Sequence, residues 1–199
     1  MSKNDSLIKI NILALGNTSV GKTSFILKYT ENNFREVHLS TIGIDYKTKI
    51  VKLENGKKYK VDFYDTAGQE KYKSIALNVI KNADGVILMY DVTKKESFES
   101  ISRWMEGIKA QKETNFPIIL VGNKIDKEDE RLVTKEDGEN LAKKFRIKFF
   151  EISNKEGINI EECALSIINE IAEIKEKRED NDILKLNREN NNNENNCSC

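Results

Sequence analysis

Gly16-Asn17-Thr18-Ser19-Val20-Gly21-Lys22-Thr23 lies where one sequence period gives way to another. Before it, Ile8, Ile10, Ile12 and Ala14 interleave with Leu7, Asn11, Leu13 and Leu15, a pattern apolar on nearly both sides, as in a central parallel strand. After it, from near Gly21, a helical pattern begins. The octet fits G-x-x-x-x-G-K-[ST], whose glycines let the backbone curl until its N–H groups face the oxygens of a triphosphate. Thr18, Ser19, Val20, Gly21, Lys22, Thr23 and Ser24 are the candidate contacts. Lys22 would neutralise the β- and γ-phosphates, and the Thr23 hydroxyl would ligate Mg²⁺. A bare match also arises by chance in loops that contain Gly and Lys. The strand before this one and the helix after it supply the confirming context.

Farther along, residues 45–53 alternate with period two, Asn55-Gly56 signals a hairpin turn, and Tyr59–Tyr64 returns as the partner strand. Strand and helix then alternate. Gly85–Tyr90, Phe116–Val121 and Phe149–Ile152 read as strands, while Lys95–Lys112 and Thr134–Phe145 read as helices. Thr134, with Asp137 three residues on, is a candidate helix cap. Ile160, Cys163, Ala164, Ile167, Ile168, Ile171 and Ile174 define an amphipathic closing helix. The order implies an α/β fold with a doubly wound, mostly parallel sheet. In such a sheet ligands bind beyond the carboxyl ends of the strands.

Three further loops at strand ends carry chemistry. Asp65-Thr66-Ala67-Gly68-Gln69-Glu70 offers Asp65 to hold Mg²⁺ through water, Gly68 to bring an N–H to the γ-phosphate, and Gln69 to orient an attacking water. Asn123-Lys124-Ile125-Asp126 offers a carboxylate, Asp126, that accepts from the ring N–H and exocyclic amine of guanine together. Adenine shows no such donor pair. The Lys124 stem can lie over the base plane, and Ser153-Asn154-Lys155 can place a backbone N–H at the guanine oxygen. Each loop in isolation reads as an ordinary polar turn. Four of them in this order at strand ends read as one guanine-nucleotide site.

These motifs resemble those of the Ras-superfamily small GTPases over roughly residues 7–174, and within them the Rab family. Thr41-Ile42-Gly43-Ile44-Asp45-Tyr46-Lys47 resembles the Rab effector region, Asp65–Ser74 the Rab second switch, and Cys197-Ser198-Cys199 the Rab double-cysteine terminus. The phosphate loop, with Asn17 and Ser19, is most similar to that of secretory Rabs. The resemblance implies a P-loop NTPase G domain: six strands, one of them antiparallel, with helices on both faces. It implies GTP/GDP and Mg²⁺ as ligands. Ser40 would join the nucleotide contacts, Thr41 would ligate Mg²⁺ and meet the γ-phosphate in the GTP state, and Phe34 would stack edge-on against guanine. Ile42, Gly43, Ile44, Tyr46, Lys71 and Tyr72 would serve effector recognition.

The implied activity is slow hydrolysis of GTP to GDP by a membrane-anchored switch in vesicle trafficking. Gln69, Lys22 and Gly68 would be its catalytic residues, and a GTP-locked scaffold without useful turnover is the alternative. An ATP-using P-loop enzyme is disfavoured by Asp126. No residue reads as an internal arginine finger: Arg35, like His38, reads as a solvated loop residue. An activating protein in trans is therefore expected to supply about 10³–10⁵ in rate. Exchange factor, GTPase-activating protein, GDP dissociation inhibitor, escort protein and effectors are the implied partners of a monomer. Four departures from the family stand out: Tyr64 for Trp, Val79 in place of an aromatic, Asn154 for Ala, and Thr18 beside the γ-phosphate.

Composition bounds the rest. Lys+Arg and Asp+Glu are each 33 in 199 residues, so no net field draws the chain to nucleic acid or an anionic membrane. No apolar run approaches the ~18 residues of a membrane span, and the first residues do not form a secretory leader. Cys163 falls on an apolar helix face and reads as a buried hydrophobe. From about Lys175 the periodicity stops, and residues 187–196 contain seven Asn and no apolar residue, which reads as a disordered tail. The expected organisation is an extension (1–6), the G domain (7–174) and a tail (175–199). The tail carries five basic and six acidic residues, so charge cannot anchor it. Two lipid chains can, since stable anchoring takes about two signals. Prenylation of Cys197 and Cys199 would place the protein on the cytoplasmic face of vesicle or organelle membranes, cycling with a cytosolic pool.

Overall fold

The structure, a computed structural model, describes residues 7–34, 44–66, 80–112 and 115–195, with the backbone only at 44 and 179–195. Among the described residues six strands form one sheet: β1 (Ile8–Leu15), β2 (Ile44–Lys52), β3 (Lys58–Thr66), β4 (Gly85–Asp91), β5 (Ile118–Asn123) and β6 (Lys148–Ile152). Their order is β2-β3-β1-β4-β5-β6. β2 alone runs antiparallel, paired with β3 through the turn at Asn55-Gly56. All other pairings are parallel.

The period-two pattern splits the central strands cleanly between two cores. Ile10, Ile12 and Ala14 of β1, Ile87 and Met89 of β4, and Ile119 and Val121 of β5 face one cluster. Helices α1 (Lys22–Glu31) and α5 (Ile160–Asn195) cover that face, with Phe25, Ile26, Cys163, Ile167 and Ile171 buried there. Leu13, Leu15, Leu88, Tyr90 and Leu120 face the other cluster. It is closed by the short α2 (Lys95–Glu99) with α3 (Ile101–Lys109), and by α4 (Lys135–Phe145). Cys163 is fully buried, and burial pushes its thiol above the ordinary value. Thr134 caps α4 as expected: its Oγ1 accepts from the Asp137 N–H at 3.1 Å, and the Asp137 carboxylate accepts from the Thr134 N–H at 3.0 Å.

Three elements differ from the sequence reading. The helix expected over Lys95–Lys112 is interrupted at Ser100, whose hydroxyl bonds back to the Glu96 carbonyl at 2.8 Å. β5 starts two residues late and runs on to Asn123, so the first residue of Asn123-Lys124-Ile125-Asp126 is fixed by the sheet ladder. The closing helix continues to Asn195, where the loss of apolar periodicity suggests an end near Ile174.

Periodicity misses this continuation because polar side chains hold the next turn. Lys175 pairs with Asp84 at 2.9 Å. Glu176 accepts from Asn55 Nδ2 at 2.9 Å and from the Tyr59 hydroxyl. The Tyr59 bond pulls the Glu176 carboxyl below its ordinary value, and burial together with the same bond raises the Tyr59 phenol. A chain ending at Ile174 is therefore expected to be about 1–2 kcal/mol less stable than one ending at Arg178, since a buried phenol loses its acceptor. Comparing the two urea midpoints measures this.

Candidate functional site

The octet after β1 turns back across the carboxyl ends of the parallel strands. Ser19 and Gly21 both hold positive φ, at 62° and 105°, and Gly21 leads directly into α1. Thr18 and Ser19 are exposed, whereas Val20 and Ser24 are buried. Lys22 is 5 % exposed, and its ammonium donates to the Gly16 carbonyl at 3.0 Å and to Asn17 O at 2.9 Å. The lysine thus spans its own loop. Burial lowers its pKa to about 8, and the nearby Asp65 carboxylate opposes the shift.

At the end of β3, buried Asp65 accepts from the Thr23 hydroxyl at 2.5 Å. Two hard oxygens from separate elements therefore meet beside the loop, and this donor chemistry suits Mg²⁺. Thr66 Oγ1 donates to the Ala14 carbonyl at 2.9 Å and ties the two strand ends together.

The residues expected to meet the base converge from the ends of β5 and β6. Asn123 Nδ2 donates to the Val20 carbonyl at 2.8 Å, and its Oδ1 accepts from the Asn154 N–H at 3.3 Å. Exposed Asp126 accepts from the Ser153 hydroxyl at 2.6 Å, and that hydroxyl accepts in turn from the Glu156 N–H at 3.0 Å. Ser153 is fully buried, so it fixes the carboxylate from beneath. Lys124 adopts φ 73° and pairs with Asp91 at 2.6 Å. Lys155 is exposed, and Phe34 is half-buried.

Of the expected site residues, Thr18 to Ser24, Asp65, Asn123, Lys124, Asp126 and Ser153 to Lys155 therefore gather at one edge of the sheet. Ser40, Thr41, Gly68, Gln69, Cys197 and Cys199 lie outside the described residues, as do Arg35, His38, Ile42, Gly43, Lys71, Tyr72 and Val79. Tyr46 stands 59 % exposed on β2 and stacks on Tyr64 with ring centroids 5.8 Å apart.

Sequence reasoning missed three residues. Asp91, fully buried at the end of β4, orients Lys124, and its only sequence signal is its place at the end of an apolar strand. Trp104 of α3 and Ser100, which immediately precedes that helix, hold the phosphate loop. The indole N–H donates to Asn17 Oδ1 at 3.1 Å, and Asn17 Nδ2 donates to Ser100 Oγ at 3.1 Å. Trp104→Phe puts a smaller ring in place of the buried indole and removes one hydrogen bond worth about 1 kcal/mol, so a loss of at least about fivefold in nucleotide affinity is expected. Because Trp104 is the sole tryptophan, Asn17→Ala should shift the intrinsic emission, which reads the contact directly.

The model of the Ras family matches residues 11–173. The chain is 42 % identical over 167 residues to Ras-related protein Rab-13 of Rattus norvegicus, covering 84 % of this chain and 81 % of that protein. It is 43 % identical over 162 residues to Ras-related protein Rab-3A of Homo sapiens, covering 81 % and 73 % respectively. Ras-related protein Rab-3C of Bos taurus is 42 % identical over 162 residues, covering 81 % and 71 %.

Proposed function

We propose residue roles for a chain that belongs to the Ras family and, within it, to the Rab-like small GTPases, which hydrolyse GTP to GDP in vesicle trafficking. Guanine nucleotide and Mg²⁺ binding are general to that family. Lys22 and the backbone N–H groups of residues 18–24 bind the phosphates. Asn123, Lys124 and Asp126 take the base, with Ser153, Asn154 and Lys155 beside it, and Phe34 and Ser40 complete the contacts. Thr23, Thr41 and, through water, Asp65 hold Mg²⁺, which neutralises charge on the transferring phosphate when bound. Gln69 orients the attacking water, Gly68 offers its N–H to the γ-phosphate, and Lys22 stabilises the charge spread over the phosphate oxygens.

The observation that supports this reading best is the Ser153–Asp126 bond beside the Asn123–Val20 tie. The first presents a carboxylate to the base side, and the second locks that side to the phosphate loop. Single-turnover hydrolysis with Mg²⁺, with and without a Rab-type activating protein, tests it. The expected result is slow basal turnover and a large acceleration. ATP displacing GTP at similar concentration would remove the guanine assignment. A GTP-locked scaffold predicts no acceleration by any activator, and the relatives do not favour it.

Rab relatives imply regulators, effectors and vesicle-membrane association in general terms. The proposed unit is a G domain over 7–174, preceded by 1–6 and followed by a tail over 175–199. Among the described residues no helix is long and apolar enough to cross a membrane. Prenyl chains on Cys197 and Cys199 provide the anchor in this reading, with a GDP dissociation inhibitor and an escort protein as the partners that cover them. An exchange factor, an activating protein and effectors at the switch regions complete the cycle, on the cytoplasmic face of vesicle or organelle membranes with a cytosolic pool.

A further inference from the structure

Asn154 is 3 % exposed, and its side chain does what the alanine usual in the family cannot. Its Nδ2 donates to the Gly21 carbonyl at 2.9 Å, across 133 residues of sequence. That carbonyl also accepts from the Phe25 N–H at 2.9 Å, in the first turn of α1. The Asn154 N–H meets Asn123 Oδ1, and Asn123 Nδ2 meets the Val20 carbonyl. Two asparagine amides and two consecutive phosphate-loop carbonyls thus form one continuous link between the base loop and the phosphate loop. Asn154 Oδ1 is buried with no hydrogen-bond partner among the described residues. Leaving a buried acceptor unsatisfied is costly, so simple packing does not explain an amide at this place.

We infer that the Asn154 side chain is a positioning residue that holds the base-recognition loop at a fixed offset from the phosphate loop, and so slows nucleotide release and sharpens guanine discrimination. The bond uses protein atoms on both sides, so the two halves of the site are set before either meets ligand. Preorganisation of this kind raises affinity by removing the ordering cost from the binding step. The offset matters for the base because Ser153, the immediate neighbour of Asn154, fixes Asp126. This inference rests on the guanine-nucleotide reading above.

The test uses the full chain loaded with fluorescently labelled GDP in Mg²⁺ and chased with excess GDP. It also compares the affinities for GDP and IDP, which lacks the 2-amino donor. Asn154→Ala is expected to release GDP about fivefold faster, the worth of one neutral hydrogen bond. It should also narrow the GDP-over-IDP preference at least threefold. Asn154→Asp sets a carboxylate oxygen against the Gly21 carbonyl and should release faster still. All variants are compared at a temperature where circular dichroism shows them folded. Release and discrimination within twofold of wild type in both variants would overturn the inference. Faster release with unchanged discrimination would also overturn it, because that pattern belongs to general loosening. Failure of the wild-type chain itself to bind GDP instead strikes the guanine-nucleotide reading.

Discussion

Asp126→Ala is expected to weaken GDP binding by about 10²–10⁴, because the carboxylate would accept two charge-assisted hydrogen bonds worth roughly 1.5–3 kcal/mol each. The structure raises the expectation above that for an ordinary exposed aspartate. Asp126 is not a free rotor: the buried Ser153 hydroxyl donates to its Oδ1 at 2.6 Å, so its direction is set before any base arrives. Asp126→Asn keeps the shape but turns half of the acceptor into a donor facing the guanine donors, and it too should bind GDP poorly. Competition titration against labelled GDP measures both, with ADP as the comparison. ADP affinity should stay weak and nearly constant across the series. GDP affinity unchanged in either variant would remove Asp126 from base recognition.

Gly21→Ala should be damaging for a different reason. A Cβ at this position would sit 2.1 Å from Asn123 Nδ2 and 2.8 Å from Asn154 Nδ2, at a backbone φ of 105°. The displaced atoms have nowhere to go, since Asn123 is 1 % and Asn154 3 % exposed, and both amides are hydrogen-bonded to the phosphate loop. Strain at positive φ contributes about 1–2 kcal/mol, and each lost hydrogen bond about 1 kcal/mol. Folding stability should therefore fall by roughly 3–4 kcal/mol, with nucleotide binding lost to measurement. Gly56→Ala is the matched control: its φ is 79°, and nothing lies within 4 Å of its added Cβ. That variant should lose only the strain. Equal urea midpoints for the two variants would show that the close approach to Asn123 and Asn154 is immaterial.

Much of the architecture was legible because local physics wrote it. The nearly continuous apolar runs of β1, β4 and β5 predict strands buried on both faces, and the two cores divide at alternate residues because successive side chains on a strand point to opposite faces. Thr134 and Asp137 stand three apart, and their reciprocal bonds form within one turn. The tail shows the opposite case. Apolar periodicity ends at Ile174, yet Lys175 and Glu176 hold the helix onto Asp84, Asn55 and Tyr59. Those partners lie on other elements, so no moment along the helix could reveal them. The interruption at Ser100 was hidden likewise, because a serine hydroxyl returning to its own helix leaves no mark on hydrophobic spacing.

The candidate site divides in the same way. The glycines and Lys22 of the phosphate loop, and the Asn-Lys-x-Asp spacing that carries Asp126, are short-range features, so the ligand chemistry they can offer is legible along the chain. Which side chains brace them was settled only by the sheet order. β1 lies between β3 and β4, and β5 lies beside β4, so loops far apart in sequence share one edge. That placement brings Trp104 to Asn17 across 87 residues, Asp91 to Lys124, and Asn154 to Gly21 across 133. A hydrogen bond depends on position to within a few tenths of an ångström, and that precision belongs to the packed strands rather than to any local pattern.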